Sequence, residues 1–143
     1  MVQIKICDFS KAPLMRHCSV SEFSGEQYYH DILNQVFKDV LAADDILEIN
    51  LDGVDGYSPS FIDEIFGNLV YDFSLKNVLK KVRIVSNEEP EWITSIREET
   101  YPLWEERRTK KMVPKITVPH NAWWRLTDQG ILEQSVWNKV VDG

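Results

Sequence analysis

Asn50, Asp52, Ser58 and Ser60 stand close together in the stretch INLDGVDGYSPSF, residues 49–61, where an apolar run meets a turn. Three chemistries suit such a stretch. A phosphatase with an aspartate nucleophile needs two carboxylates two residues apart after a hydrophobic strand, one to attack phosphorus and one to act as general acid. The first of those places holds Asn50, whose amide cannot attack, so Asp52-Gly53 reads as a turn leaving a sheet. The second chemistry is phosphate acceptance at Ser58 or Ser60. The third is no chemistry: a strand-to-helix junction whose serines cap the helix.

No other catalytic constellation rises above background. His17, His30 and His120 have no partner spaced for zinc, and HExxH, GxSxG and GxxxxGK[ST] are absent. His30 precedes Asp31 on an expected helix, where adjacent residues do not face each other, so a surface histidine is expected. Cys7 and Cys18 lack a C-x-x-C spacing and read as free thiols of a reducing cytoplasm. Hence no catalytic residue, no metal and no cofactor are expected, and the chain reads as a non-enzyme.

Charge narrows the partners. The net charge is −7, with 15 acids against 8 bases in residues 1–90 and 8 against 8 in residues 91–143. Nucleic-acid binding needs clustered Lys and Arg, so it is not expected directly. The one basic cluster, RRTKK at 107–111, reads first as a solvated helix end with cations at its negative pole, and second as a binding patch. No run is long and apolar enough to span a bilayer, and the first ten residues lack the pattern of a signal peptide.

The elements that must position these residues follow from periodicity. VQIKI at 2–6 alternates as a strand, and residues 11–23 have no period and include Pro13. Ser24 opens a helix, with Gln27 as the capping-box partner, Phe23 as a staple, and Tyr28, Ile32, Leu33, Val36, Phe37, Val40 and Leu41 on the buried face. Asp44-Asp45 ends it, and ILEINL at 46–51 is the central strand. Ser58 or Ser60 opens the next helix, with Pro59 in its first turn, Asp63 and Glu64 near its positive pole, and Phe61, Ile62, Ile65, Phe66, Leu69, Val70 and Phe73 as its stripe. Gly67 costs that helix roughly 1 kcal/mol against Ala, which implies a close approach of neighbouring backbone. KVRIV at 81–85 is a strand, and residues 88–101 are a helix that Pro102 breaks or restarts. KITV at 115–118 reads as a strand, PHNAWWRL as an aromatic loop and residues 128–141 as a final helix. Alternating strands and helices imply an α/β layer sandwich with parallel pairings.

Three segments carry a specific resemblance: FSGE at 23–26, LDGVDGY at 51–57 and SFIDEIFGNLV at 60–70. They resemble a bacterial STAS-like family of unknown function, distantly similar to the STAS domains of anti-sigma-factor antagonists. Pro13 and Arg16 look like remnants of that family's Pro-Gly-Gly-Arg segment, with Leu14 and Met15 where glycines are usual. The resemblance covers roughly residues 2–87. It implies a mixed sheet with helices packed mainly on one face and a role in regulatory protein binding, with a histidine-kinase-like ATPase as a partner type. In the antagonists, a serine at the start of the second helix is phosphorylated. Laid against that pattern, Ser58 takes the aspartate place, Pro59 the phosphoserine and Ser60 the second serine, so the switch is not carried over residue for residue.

The expected organisation is a STAS-like domain over residues 1–90, with a Trp-rich extension, 91–143, docked on the same core. About 53 residues alone would be marginal without a disulfide or a metal. All five tryptophans lie in that extension. Most should be buried, with one of Trp123 and Trp124 left exposed for a partner or homodimer contact. The expected partner surface is Asp55, Tyr57, Ser58, Ser60, Asp63 and Glu64, with Ser58 and Ser60 as the candidate phosphoacceptors. The alternative reading is a phage- or mobile-element-encoded acidic inhibitor that occupies a host nucleic-acid-binding surface.

Overall fold

The computed structural model describes residues 1–136. Strand β1 (Val2–Lys5) runs into a 3-10 turn, Ile6–Asp8, and a long irregular segment. Ser24 then accepts the N–H of Gln27 at 3.1 Å and caps α1 (Gly25–Tyr28). The Gln27 side chain does not reach back as in a full capping box, because it donates to Asp31 and accepts from Cys18. Phe23 stays exposed and packs on Phe9, which meets Tyr28 edge-on, so the expected staple runs through a third ring. A π turn, Tyr29–Leu33, joins α1 to α2 (Asn34–Ala42). Such a turn takes an extra residue per hydrogen-bonded ring, and both Tyr28 and Tyr29 end up buried.

Asp44 adopts φ 53° and turns the chain into β2 (Leu47–Asn50). This strand lies between β1 and β3 (Val82–Val85) and pairs parallel with both, bringing Ile4, Ile49 and Ile84 into one register. Leu47 and Ile49 are fully buried, as a central parallel strand demands. Helix α3 (Pro59–Phe73) starts the crossover from β2 to β3 and has 12 buried residues of 15, including every residue of the predicted stripe. Its cap is Ser58, not Ser60, so Asp63 and Glu64 fall in the second turn, where the helix dipole has faded. Ser74, at φ 78°, caps a further helix, α4 (Leu75–Lys81). The sequence reading misses α4 because it buries one apolar residue, Val78, and so shows no period.

The third helical stretch is α5 (Glu91–Ser95), a π turn (Ile96–Thr100) and α6 (Tyr101–Thr109). The N–H of Tyr101 bonds the carbonyl of Ile96, five residues back, and the helix passes through Pro102 without a break. Gly67 of α3 faces α6: a Cβ there would lie 2.1 Å from the Trp104 indole. The close approach is therefore by a side chain, not by backbone.

The C-terminal expectations need correction. No strand forms at 115–118. Trp123–Leu126 is a strand, β4, pairing antiparallel with β5 (Leu132–Ser135) in a second sheet, where a helix was expected. Gly130, at φ 77°, makes the turn between them. Strand alternation buries Trp123 and turns Trp124 outward, half-buried, with Lys38 Nζ 4.5 Å above its ring. Trp104 is buried and Trp92 half-buried, while Trp137 and the rest of the expected final helix lie outside the described residues. Parallel and antiparallel pairings thus coexist in this α/β chain, in separate sheets. No described helix is long and apolar enough to cross a membrane.

Candidate functional site

The entrance to α3 is built by the irregular segment at 11–16. Its backbone carbonyls accept from Asp55 (Lys11 O, 2.7 Å) and Ser58 (Pro13 O, 3.3 Å), and those of Met15 and Arg16 accept from Gly25 and Glu26 at the start of α1. The Ser58 hydroxyl donates to Leu14 O and accepts the Phe61 N–H. Both of its roles are filled by the fold. The Ser60 hydroxyl makes no such bond among the described residues, and it lines an open groove of about 240 Å³ with Arg16, Asp63, Trp92, Glu99 and Leu103. Asp55 is exposed and does not line this groove. Tyr57 is half-buried, donates to Leu51 O at 2.7 Å and meets Trp92 edge-on at 6.0 Å. The Trp92 indole N–H is buried without an acceptor among the described residues.

Arg16 explains the acids behind this groove. It donates to Asp63 Oδ2 (2.9 Å) and Glu64 Oε1 (3.1 Å), and Trp104 Nε1 donates to the other Asp63 oxygen at 3.0 Å. Glu64 is buried at 2% exposure and accepts from Asn68, so it supports the surface from below and does not belong to it. Burial pushes the Glu64 carboxyl up to about 7, against the opposing pull of Arg16 and Asn68. Of the six expected surface residues, Ser60 and the partly exposed Asp63 line the groove, Tyr57 flanks it through Trp92, Ser58 and Glu64 build it, and exposed Asp55 stands outside it.

Both carboxylate oxygens of Asp52 are engaged within the fold. Its two oxygens take the Glu88 N–H (2.9 Å) and the Asn87 amide (3.0 Å), while Asn50 accepts the Asp52 N–H at 2.8 Å. The RRTKK cluster is likewise engaged. Arg107 lies 4.9 Å from the centre of the Trp104 ring, and Arg108, Lys110 and Lys111 pair with Glu105, Glu106 and Asp128.

Two constellations escape the sequence reading. In the first, Asp72 is buried on α3 and receives Tyr29 Oη (2.5 Å) and Arg125 Nε (2.6 Å), while Asn34 exchanges hydrogen bonds with the Trp124 backbone at 2.8 and 2.9 Å. In the second, all three histidines gather near Glu26, which is fully buried in the first turn of α1. His17 Nδ1 lies 3.1 Å from Oε1 and His120 Nε2 lies 2.6 Å from Oε2. His30 stacks on His120 at 4.2 Å, against Trp123, so it is not the surface histidine expected. Cys18, Glu26 and His120 hold potential ligand atoms within 4.8 Å of one another. Spacing along the chain could not reveal this, because the fold brings residues 17–18, 26 and 117–120 together.

Burial pushes the Glu26 carboxyl up, but hydrogen bonds from His120, Thr117 and the Cys18 backbone outweigh it and hold the group well below the usual carboxylate range. Burial also keeps His30 neutral, with its ring pulled down to about 3.

No curated protein and no solved structure matches this chain. A family model does: residues 24–92 match the STAS-like domain of unknown function (DUF4325). That span holds the cap of α1, the central strand β2, the whole of α3 and the groove residue Trp92. Through residues 24–92 the chain is similar to this STAS-like family.

Proposed function

We propose that the chain is a non-enzymatic regulatory module that binds a protein partner through the entrance of α3. Similarity to a STAS-like family fits a regulatory module. The observation that carries the reading further is the Ser60 hydroxyl, without a hydrogen-bond partner among the described residues, in an open groove on a base fixed by Arg16, Asp63 and Glu64. At about 240 Å³ the groove is smaller than a typical small-molecule pocket of roughly 300–1,000 Å³. It is suited to one partner side chain at the centre of a broader contact. The partner we propose is a histidine-kinase-like ATPase. If it phosphorylates the chain, Ser60 is the acceptor, because both hydrogen-bonding roles of Ser58 are taken. A phosphate there would add about two negative charges beside Asp63 and Glu99 and weaken the complex.

The test is affinity capture from source-cell extract on immobilised wild-type chain and on Ser60→Arg chain of equal melting temperature. Proteins held by the first and lost by the second are expected. Equal capture by both contradicts the reading.

A further inference from the structure

We propose that Cys18, Glu26 and His120, with His17 as fourth ligand, form a zinc site that fastens the segment at 117–120 to the STAS-like domain. The donors are one sulfur, one carboxylate oxygen and two imidazole nitrogens, the set that borderline-soft, tetrahedral Zn²⁺ prefers over oxygen-seeking Mg²⁺ or Ca²⁺. Bond lengths of about 2.0–2.3 Å place neighbouring ligands of a tetrahedral zinc about 3.3–3.6 Å apart. The sulfur, carboxylate oxygen and His120 nitrogen already lie within 4.8 Å of one another, so closure takes shifts of about 1 Å or less. His17 Nδ1 lies 3.1 Å from Glu26 Oε1 but outside that group of three, so it reaches the fourth place only by a movement of its side chain.

Charge favours the same ion. A thiolate, a carboxylate and two neutral imidazoles balance Zn²⁺, which suits a place where Glu26 is fully buried and the His120 side chain is 4% exposed. Binding takes the proton from the Cys18 thiol, whose sulfur exchanges its hydrogen bond to Gln27 for the metal. The two histidines exchange their contacts with Glu26 for the metal, and Glu26 keeps bonds from Thr117 Oγ1 (2.7 Å) and the Cys18 N–H (3.2 Å), which hold its carboxylate as outer partners hold a ligand. The flat stack of His30 on His120, 4.2 Å apart, fixes the plane of the ligand ring. The ligands join residues 17–26 to residue 120, far apart along the chain. This is where a short extension without a disulfide gains most from a metal.

The experiment is titration of the untagged full chain, stripped with chelator and reduced, with Co²⁺ followed by Zn²⁺ in competition. One equivalent should bind, giving the visible bands of tetrahedral cobalt and a thiolate charge-transfer band, both removed when zinc is added. Cys18→Ser should lose the charge-transfer band, Cys7→Ser should keep it, and His120→Gln should weaken zinc binding roughly tenfold or more. Circular dichroism of each variant without metal shows whether it is folded. Zinc should also raise the melting temperature of the wild type, as any ligand of the folded state does. Absence of stoichiometric binding, an octahedral spectrum without the thiolate band, or an unchanged spectrum in Cys18→Ser would overturn the proposal.

Discussion

At the residue scale, each polar group around the α3 entrance has one job that a substitution can expose. Ser58 caps the helix and Ser60 does not. Ser58→Ala should therefore cost about 0.5–2 kcal/mol in urea unfolding, and Ser60→Ala should lie close to zero. Ser58→Asp should fold nearly as well as wild type, because a carboxylate also caps. Glu64 gives a pH signature of its own. Its carboxyl ordinarily titrates at 4.5 and in the folded chain at about 7, facing Arg16, Asp63 and, farther off, Glu26. Between those values the folded chain holds a proton that the unfolded chain releases. This contribution to stability is present below pH 4.5 and is lost as pH rises to 7, by about 3 kcal/mol in all. The difference between wild type and Glu64→Gln in melting experiments across that window should show this decline. A flat difference would mean that the carboxyl is not held in its buried place.

At the scale of elements, α3 is held from several sides, and the contacts differ in how legible they are in sequence. Its seven-residue apolar stripe was readable because helical periodicity reports burial on one face. The opposite face was not, since Gly67, Asn68 and Asp72 look like ordinary solvent residues until α6, α1 and β4 close over them. Gly67→Ala removes roughly 1 kcal/mol of helix penalty but places a methyl 2.1 Å from Trp104. The clash should win and leave a net loss of about 1–3 kcal/mol, measured by chemical unfolding. Combination with Trp104→Ala should cost less than the two single losses added together, because the shortened side chain no longer meets the new methyl. The hairpin depends on Asp72. Asp72→Ala strands Arg125 and removes one of the two acceptors of Tyr29, so a loss of about 3–5 kcal/mol is expected. The hairpin itself was misread as loop and helix because WWRL offers only four residues of alternation. The partner strand is defined by its antiparallel register with β4, not by its own pattern.

At the scale of the whole molecule, the α/β class was legible from the order of elements, since β1, β2 and β3 alternate with strongly periodic helices. The entrance to α3 was legible because cap, proline and apolar stripe are local signals. The bond of His120 to Glu26, its stack on His30, and the net that Arg16 makes with Asp63 and Glu64 depend on contacts between residues 47 or more apart, which no spacing rule records. The same long contacts make the extension and the STAS-like domain share buried surface, Trp104 and Trp123 included. Cleavage near residue 90 should therefore yield no folded 1–90 fragment with the melting temperature of the full chain, and such a fragment would show the extension to be an appendage. Protein binding at the α3 entrance is tested by amide hydrogen exchange of the chain with and without its captured, purified partner. New protection is expected at residues 53–64 and 92–103. Protection confined to the hairpin at 123–135, with the α3 entrance unchanged, would contradict it.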